Sequence, residues 1–354
     1  MKLETQELMM RIETPRHATT LRAAAMFALA ALVMSGAALA VEVWTPDTGE
    51  VDLEELPRDS VEARFRHAAA LITAGQAVSA AAQLEELLKQ QPDAQWAERA
   101  RFLIGVAHFA DKKYDTAFAE WEDFHNRYPK SALARPAFEF QLQAALMRIR
   151  EDMDGGQALF DRLIAKAPDK DFAVRCQKEK ADAILAAGEF FRARDEYLAL
   201  VDFFPDSPWV PYAWFKIAEC DLRLAEWIRR GTEYLESSKK GFEDFLTTFP
   251  DHNLAAQAQD KLKEVRARQV AGYRRVAEYY MGPGMHPTAA LPYLAAIRET
   301  LPDSDDARWA DEKAAEIRKN EQVPLKGETI GTPLPGVAPA PQDVQPPAEV
   351  EQKQ

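Results

Sequence analysis

The feature that most constrains this 354-residue sequence is an internal repeat. An aromatic or apolar run ends in proline six times, and successive prolines lie 37, 39, 37, 45 and 52 residues apart. Repeats of roughly 20 to 50 residues are typical of arrays in which each unit is one supersecondary motif stacked on its neighbours. Such a chain lengthens by adding units, so its domain size is set by the repeat. The runs are Leu88–Pro92, Phe124–Pro129, Leu163–Pro168, Phe203–Pro205, Phe245–Pro250 and Ile297–Pro302.

The units resemble the tetratricopeptide repeat, a helix pair with a small residue at position 8, alanine at 20, an aromatic at 24 and proline at 32. Small side chains let the two helices approach closely, the aromatic fills the space towards the next unit, and proline stops the second helix. Four units keep the spacings 12, 4 and 8, and the third is looser only in residue type, with glycine where the other three have alanine at position 20. The four sets are Ala68, Ala80, Leu84 and Pro92; Gly105, Ala117, Trp121 and Pro129; Ala144, Gly156, Phe160 and Pro168; and Ala181, Ala193, Tyr197 and Pro205.

The sequence therefore predicts an all-α tetratricopeptide-repeat α-solenoid over residues 60–320, with about six helix-turn-helix units and a C-terminal capping helix from Ser304 to Lys319. The fifth unit has about eight extra residues near 229–237, which we place between its helices. The sixth, from about 255 to 302, has a longer insertion around Gly282-Pro283-Gly284. No convincing alternation of apolar and polar residues bounded by turn signals is present, so β structure is not expected.

The first 40 residues are typical of a cleaved signal peptide. Four basic residues precede an apolar run of 11 residues, Ala23–Val33, and the pattern Ala38-Leu39-Ala40 follows. Acidic residues in the leading segment leave open a translation start at Met9 or Met10. The apolar run is shorter than the roughly 18 residues that span a bilayer. We expect export to the periplasm or the periplasmic face of the outer membrane, with no transmembrane helix after cleavage.

Two further segments lie outside the predicted repeats. Residues 41–59 are predicted to be an acidic linker. Residues 321–354 contain seven prolines and few large apolar residues, so they cannot bury a core and are predicted to be a disordered Pro-rich tail.

Composition argues against several functional classes. The net charge of −13 disfavours nucleic acid as a partner. The six histidines are scattered without metal-ligand spacing, and the segment that begins at Asp152 lacks the carboxylate a calcium loop would place at position 163. That segment is better interpreted as a turn between helices. We predict no enzyme activity, no cofactor and no metal site.

The only cysteines are Cys176 and Cys220, and neither follows the signal where a lipid-anchor cysteine would stand. An oxidising compartment would permit a disulfide, but the sequence cannot show that the two sulfurs meet. Two small buried side chains are the simpler interpretation.

A groove is the function that a repeat array of this kind can offer. Positions 2, 5, 9 and 12 of the first helices are expected to line it, and there they form an aromatic-rich stripe with two basic residues. Such a stripe suits an extended peptide with acidic or C-terminal carboxylate features, although apolar residues at helical spacing are usually core. The predicted groove residues are Phe65, Phe102, Val106, Phe109, Phe138, Gln141, Arg175, Lys178, Tyr212 and Phe215.

From about Lys239 onward the sequence resembles the BamD family of outer-membrane protein assembly factors. The resemblance rests on Phe242-x-x-Phe245 before Phe249-Pro250, on Val276-Ala277-Glu278-Tyr279-Tyr280, and on the closing Thr300-Leu301-Pro302-Asp303-Ser304. It implies a periplasmic scaffold that takes part in inserting β-barrel proteins into the outer membrane. The implied partners are the barrel-assembly pore, through the C-terminal repeats, and unfolded outer-membrane proteins, through the N-terminal ones.

Two other classes stay open. One is a periplasmic repeat adaptor that coordinates another envelope complex, for division or peptidoglycan work. The other is a repeat fused to an activity that the sequence does not reveal.

Overall fold

The computed structural model describes residues 43–45, 49–51, 61–92, 96–227 and 232–321. The chain divides into two compact units, 1–259 and 260–354. The predicted signal peptide and all of the predicted Pro-rich tail except Glu321 lie outside the described residues.

The described residues are almost wholly helical, which confirms the predicted fold class. Within the first unit, ten helices form five consecutive pairs, and each pair is joined by only one to four residues, which sets its helices antiparallel. The pairs are α1 (Val61–Thr73) with α2 (Ala77–Gln90), α3 (Ala97–Ala110) with α4 (Tyr114–Arg127), α5 (Ala134–Glu151) with α6 (Met153–Ala165), α7 (Lys170–Ala186) with α8 (Phe190–Phe203), and α9 (Val210–Trp227) with α10 (Thr232–Thr248). The helix α11 (Ala255–Tyr280) begins in the first unit and ends in the second.

The second unit continues with a 3-10 helix at Pro287–Ala290, then α12 (Leu291–Thr300) and α13 (Asp305–Glu321). The predicted insertion at Gly282-Pro283-Gly284 is the turn before the 3-10 helix, and Gly284 has a φ of +77° there, a conformation that glycine adopts without strain. The predicted capping helix is α13. Its first turn is capped by Ser304, whose Oγ accepts a hydrogen bond from Ala307 N at 3.1 Å.

Close packing requires the small residues at positions 8 and 20, here Gly105 and Gly156. In the second repeat an ideal Cβ built on Gly105 would lie 2.5 Å from Trp121 Nε1. Trp121 is fully buried, and its indole N–H donates to the Phe102 carbonyl at 3.2 Å. In the third repeat a Cβ on Gly156 would overlap the backbone of Ile149. The repeat pattern therefore marks the places where two helices of a unit come closest.

Two expectations about the irregular segments are wrong. The expectation of no β structure does not hold within residues 41–59, where β1 (Val43–Thr45) and β2 (Gly49–Val51) pair antiparallel, with Val43 opposite Val51. The strands are three residues each, too short to show alternation. The extra residues of the fifth repeat do not form a long connection: α9 and α10 have 18 and 17 residues, and only 228–231 lie between them.

Two interpretations of single residues hold. Asp152 separates α5 from α6, and its side chain accepts a hydrogen bond from Gly155 N at 3.2 Å, so this segment is a helix cap. Both Cys176 and Cys220 are buried and unbonded. Burial, the main cause, raises the pKa of each thiol to about 12. Among the described helices none has the length and hydrophobicity to cross a membrane.

Candidate interaction surface

The structure divides the predicted groove residues into two groups. One group is buried in the helix packing and cannot line an open groove, which corrects the prediction for half of the set. Its members are Phe65, Phe102, Val106, Gln141 and Phe215. The other group is partly exposed, and its members are Phe109, Phe138, Arg175, Lys178 and Tyr212.

The repeat register explains this division. Position 5 holds a core residue in four of the five pairs. It faces both the second helix of its own pair and the first helix of the following pair. Phe102, for example, packs against Phe124 of α4 and Phe140 of α5 at ring-centroid distances of 6.0 and 5.5 Å. Position 2, one turn earlier, remains half-exposed in Phe138, Arg175 and Tyr212. Half of the aromatic stripe that the sequence predicts is therefore core.

The residues that the structure brings together at this surface centre on α7, and they combine a buried ring with partly exposed cations. Phe172, Arg175 and Lys178 follow one another at intervals of three residues, so they lie on one face of that helix. This face, which we call the α7 strip, is flanked by side chains from α5 and by Trp209 and Tyr212 at the beginning of α9.

On the α5 side, two guanidinium groups cover one ring. Arg135 and Arg175 lie 5.1 and 4.8 Å from the centroid of the buried Phe172 ring. Glu139 bridges them, with its Oε1 3.9 Å from Arg135 Nε and 2.5 Å from Arg175 Nη2. Cation–π contact and ion pairing together fix both arginine side chains.

On the α9 side, lysine and aromatic groups interleave. Lys178 Nζ lies 4.9 Å from the Trp209 ring centroid and 5.2 Å from that of Tyr212. The two rings meet edge to face at 5.8 Å, and Trp209 is 39% exposed. A second lysine, Lys216, has its Nζ 5.5 Å from the Tyr212 ring centroid. A surface of large rigid rings and cations is typical of binding hot spots.

Asp182 holds this part of the surface in place. Its Oδ1 accepts hydrogen bonds from the hydroxyls of Tyr197 and Tyr212, at 2.5 and 2.8 Å, and its Oδ2 pairs with Lys178 at 2.7 Å. Burial, followed by the charge of Asp182, raises the pKa of both tyrosines. Both hydroxyls therefore stay protonated and remain donors to Asp182.

One donor on the strip has no acceptor. The Nε of Arg175 is buried and makes no hydrogen bond within the part of the chain that the structure describes. Because this N–H has no accessible surface, it lies beneath the strip and is not offered to a partner. The open part of the strip includes the ring of Trp209, which can pack against an apolar side chain.

Sequence reasoning missed three residues of this surface, Arg135, Phe172 and Trp209. The repeat spacing could have identified these three residues, because they occupy equivalent positions 37 residues apart in successive repeats. Phe138, Arg175 and Tyr212, which were predicted, have the same spacing. Phe109, in contrast, is not part of the strip: it packs on Tyr114 and Phe140 at 5.4 and 6.2 Å.

A separate cavity of about 320 Å³ lies between α4, α5 and α6. His125 and Phe138 stack in its wall with ring centroids 3.8 Å apart, and His125 Nε2 lies 3.1 Å from Gln141 Oε1. Burial, the main cause, lowers the pKa of His125. Glu122 at the edge pairs with Arg162 and with Lys166, the latter at 3.1 Å. Among the described residues, no group of three or more His, Cys, Asp or Glu side chains could hold a metal ion.

Comparison with known proteins agrees with the repeat pattern. Residues 99–131 match the family profile described as tetratricopeptide repeat. No curated protein matches the sequence with significant similarity.

Solved structures give weaker likenesses. The tetratricopeptide-repeat protein TTC0263 of Thermus thermophilus is 14% identical over 58% of this chain and 98% of its own, with a TM-score of 0.28. A tetratricopeptide-repeat protein of Parabacteroides merdae is 14% identical over 74% of this chain and 92% of its own, with a TM-score of 0.32. Likenesses of this size say nothing about function.

Proposed function

We propose that this tetratricopeptide-repeat protein is an exported protein-binding scaffold of the bacterial cell envelope, and that the α7 strip holds a segment of its partner. The observation that carries the proposal is the strip itself: Trp209 and Tyr212 interleave with Lys178, beside the paired Arg135 and Arg175.

The chemistry of the strip indicates what kind of segment it holds. Trp209 offers partly exposed ring surface, which an apolar or aromatic side chain would bury. The cations are already paired with Glu139 and Asp182, so the strip does not carry a strong net positive charge. An extended peptide with apolar side chains fits these features better than a highly acidic one.

The finer proposal concerns the partner. The resemblance of the C-terminal third to the BamD family supports a role in the assembly of outer-membrane β-barrel proteins. Under this proposal the partners are the barrel-assembly pore and unfolded outer-membrane proteins. Export is supported by the apolar run Ala23–Val33 and by Ala38-Leu39-Ala40.

Co-purification of the tagged full chain from the native envelope after mild crosslinking tests this proposal. The barrel-assembly pore should be recovered. Recovery of a division or peptidoglycan complex without the pore would instead support the adaptor alternative and contradict the assembly role.

A pair of variants tests the strip. Trp209→Ser should weaken capture of the partner about 30-fold, since truncating a hot-spot ring costs about 2 kcal/mol. Phe203→Ser is the matched control, because Phe203 is 75% exposed, lies six residues away and makes no contact with the strip aromatics among the described ring pairs. Equal capture by both variants, with helicity retained, would contradict the role of the strip.

A further inference from the structure

Three tyrosine rings follow one another in the second unit. Tyr279 and Tyr280, at the end of α11, have ring centroids 5.5 Å apart, and Tyr280 stacks on Tyr293 of α12 at 6.0 Å with an angle of 18° between the rings. We call these residues the tyrosine ladder.

The ladder is fixed at one side and open at the other. Tyr280 and Tyr293 pack against the buried core of the second unit, which includes Leu294 and Ile297. Tyr279 is 46% exposed. Tyr280 and Tyr293 are thus held in position, while Tyr279, whose ring meets that of Tyr280 edge to face, is open to solvent. Partly exposed aromatic rings on a rigid base are the platform that proline-rich ligands require.

We propose that the tyrosine ladder binds the proline-rich segment of this same chain, residues 322–354. The proposal concerns the second unit and goes beyond the scaffold function, which rests on the α7 strip.

The composition of the segment fits the ladder. Its seven prolines include two proline-x-proline pairs, Pro333 with Pro335 and Pro339 with Pro341. Proline-rich chains favour the polyproline II helix, which has three residues per turn, rises about 3.1 Å per residue and makes no internal hydrogen bonds. Two residues therefore rise about 6 Å, close to the 5.5 and 6.0 Å between the rings of the ladder.

The shape of that helix also suits a flat platform. Because the polyproline II helix has three residues per turn, two of every three side chains can lie against one surface. In a proline-x-proline pair, the two proline rings are these side chains. The backbone carbonyls remain available to accept hydrogen bonds from tyrosine hydroxyls. Polar contact and ring packing can therefore occur together.

The segment can reach the ladder. It follows directly from α13, whose 17 residues measure about 26 Å. The 12 residues that follow Glu321, up to Pro333, can span up to about 40 Å. Any point along the face of α13 is therefore within reach of the first proline-x-proline pair, and α13 shares its core with the ladder.

Covalent attachment strengthens the association. A tether of this length gives an effective concentration on the order of 1 mM. If the free segment binds with a Kd of about 100 µM, the ladder of the full chain would be about nine-tenths occupied, and an added copy of the segment would bind roughly tenfold more weakly.

The test compares the full chain with a chain that ends at Glu321, which keeps every described element. The probe is a fluorescent peptide of residues 322–354, and fluorescence anisotropy measures its binding. The shortened chain should bind the peptide saturably, and the full chain should bind it about tenfold more weakly. Absence of saturable binding to the shortened chain up to about 1 mM would overturn the proposal, and so would equal binding to both chains.

Variants locate the site. In the shortened chain Tyr279→Ser should weaken binding at least tenfold, and Tyr279→Phe should retain part of it because the ring remains. Tyr279 is exposed, so neither change should disturb folding. A peptide with alanine at positions 333, 335, 339 and 341 should bind at least tenfold more weakly. Phe203→Ser removes an exposed ring in the other unit and should leave the affinity for the peptide unchanged. A loss of affinity in Phe203→Ser equal to that in Tyr279→Ser would overturn the proposal. Undiminished binding of the alanine-substituted peptide would also overturn it.

This test is independent of the scaffold function. Crosslinking and the Trp209 variant examine the first unit and a foreign partner, whereas the peptide assay uses only the chain itself. Either can fail while the other succeeds.

Discussion

Adding a single methyl group at Gly105 should destabilise the first unit. An ideal Cβ there lies 2.5 and 2.6 Å from Trp121 Nε1 and Cε2, whereas carbon atoms in contact lie about 3.5 Å apart. The indole must move by roughly 1 Å, but it is fully buried between Phe102 and Phe140 and donates to the Phe102 carbonyl. Overpacking of this kind costs about 1 to 3 kcal/mol.

Helix propensity acts in the opposite direction. Alanine is favoured over glycine by about 1 kcal/mol inside a helix. The net loss for Gly105→Ala should therefore be on the order of 0 to 2 kcal/mol, which is about 1 to 3 kcal/mol worse than a glycine-to-alanine change in a helix without the overlap. Urea unfolding followed by circular dichroism at 222 nm measures it, and hydrogen exchange of α3 and α4 shows whether the loss is local.

The same substitution at Gly272 is the matched control. Gly272 lies inside α11, and nothing lies within 4 Å of an ideal Cβ there. Gly272→Ala should be neutral or stabilising by up to about 1 kcal/mol. If Gly105→Ala gains as much stability as the control, close packing is not the reason for a small residue at position 8.

The remaining predictions use other observables. The mature chain should begin at Val41, and mass spectrometry of the envelope fraction that finds an intact N-terminus would contradict export. Because burial lowers the pKa of His125 in the folded state, the unfolded chain binds the proton more readily, so the free energy of unfolding should fall as pH drops below about 6.5. His125→Gln should make this decline shallower between pH 7.5 and 5.5, and an unchanged slope would contradict the assignment. Since burial raises the pKa of Cys176 and Cys220 to about 12, iodoacetamide at pH 8 should modify them only after unfolding. Phe102→Ser should cost about 3 to 5 kcal/mol in urea unfolding because the ring is core, whereas a groove residue would cost little.

The sequence alone determined the repeat and its helical class. Helix pairing depends on local signals that recur at fixed spacing: a small residue where helices touch, an aromatic one turn later and a proline at the end. These signals survive variation in the rest of the unit, so four units with the same spacings were enough to predict the fold. The turn at Asp152 and the helix that follows Ser304 were predictable for the same reason, because turn and capping signals act within one turn of their own helix.

Only the tertiary structure decided which residues are available to a partner. Phe102 and Phe138 both stand at predicted groove positions, yet Phe102 is sealed by Phe140 of the next repeat while Phe138 stays half-exposed. A side chain's exposure depends on what neighbouring helices place over it, and those contacts join residues about 37 positions apart. The small hairpin at 43–51 escaped prediction because three-residue strands are stabilised by pairing rather than by local pattern. Helical periodicity thus fixes which face of a helix is apolar, but the packing of the next repeat fixes whether that face is core or surface.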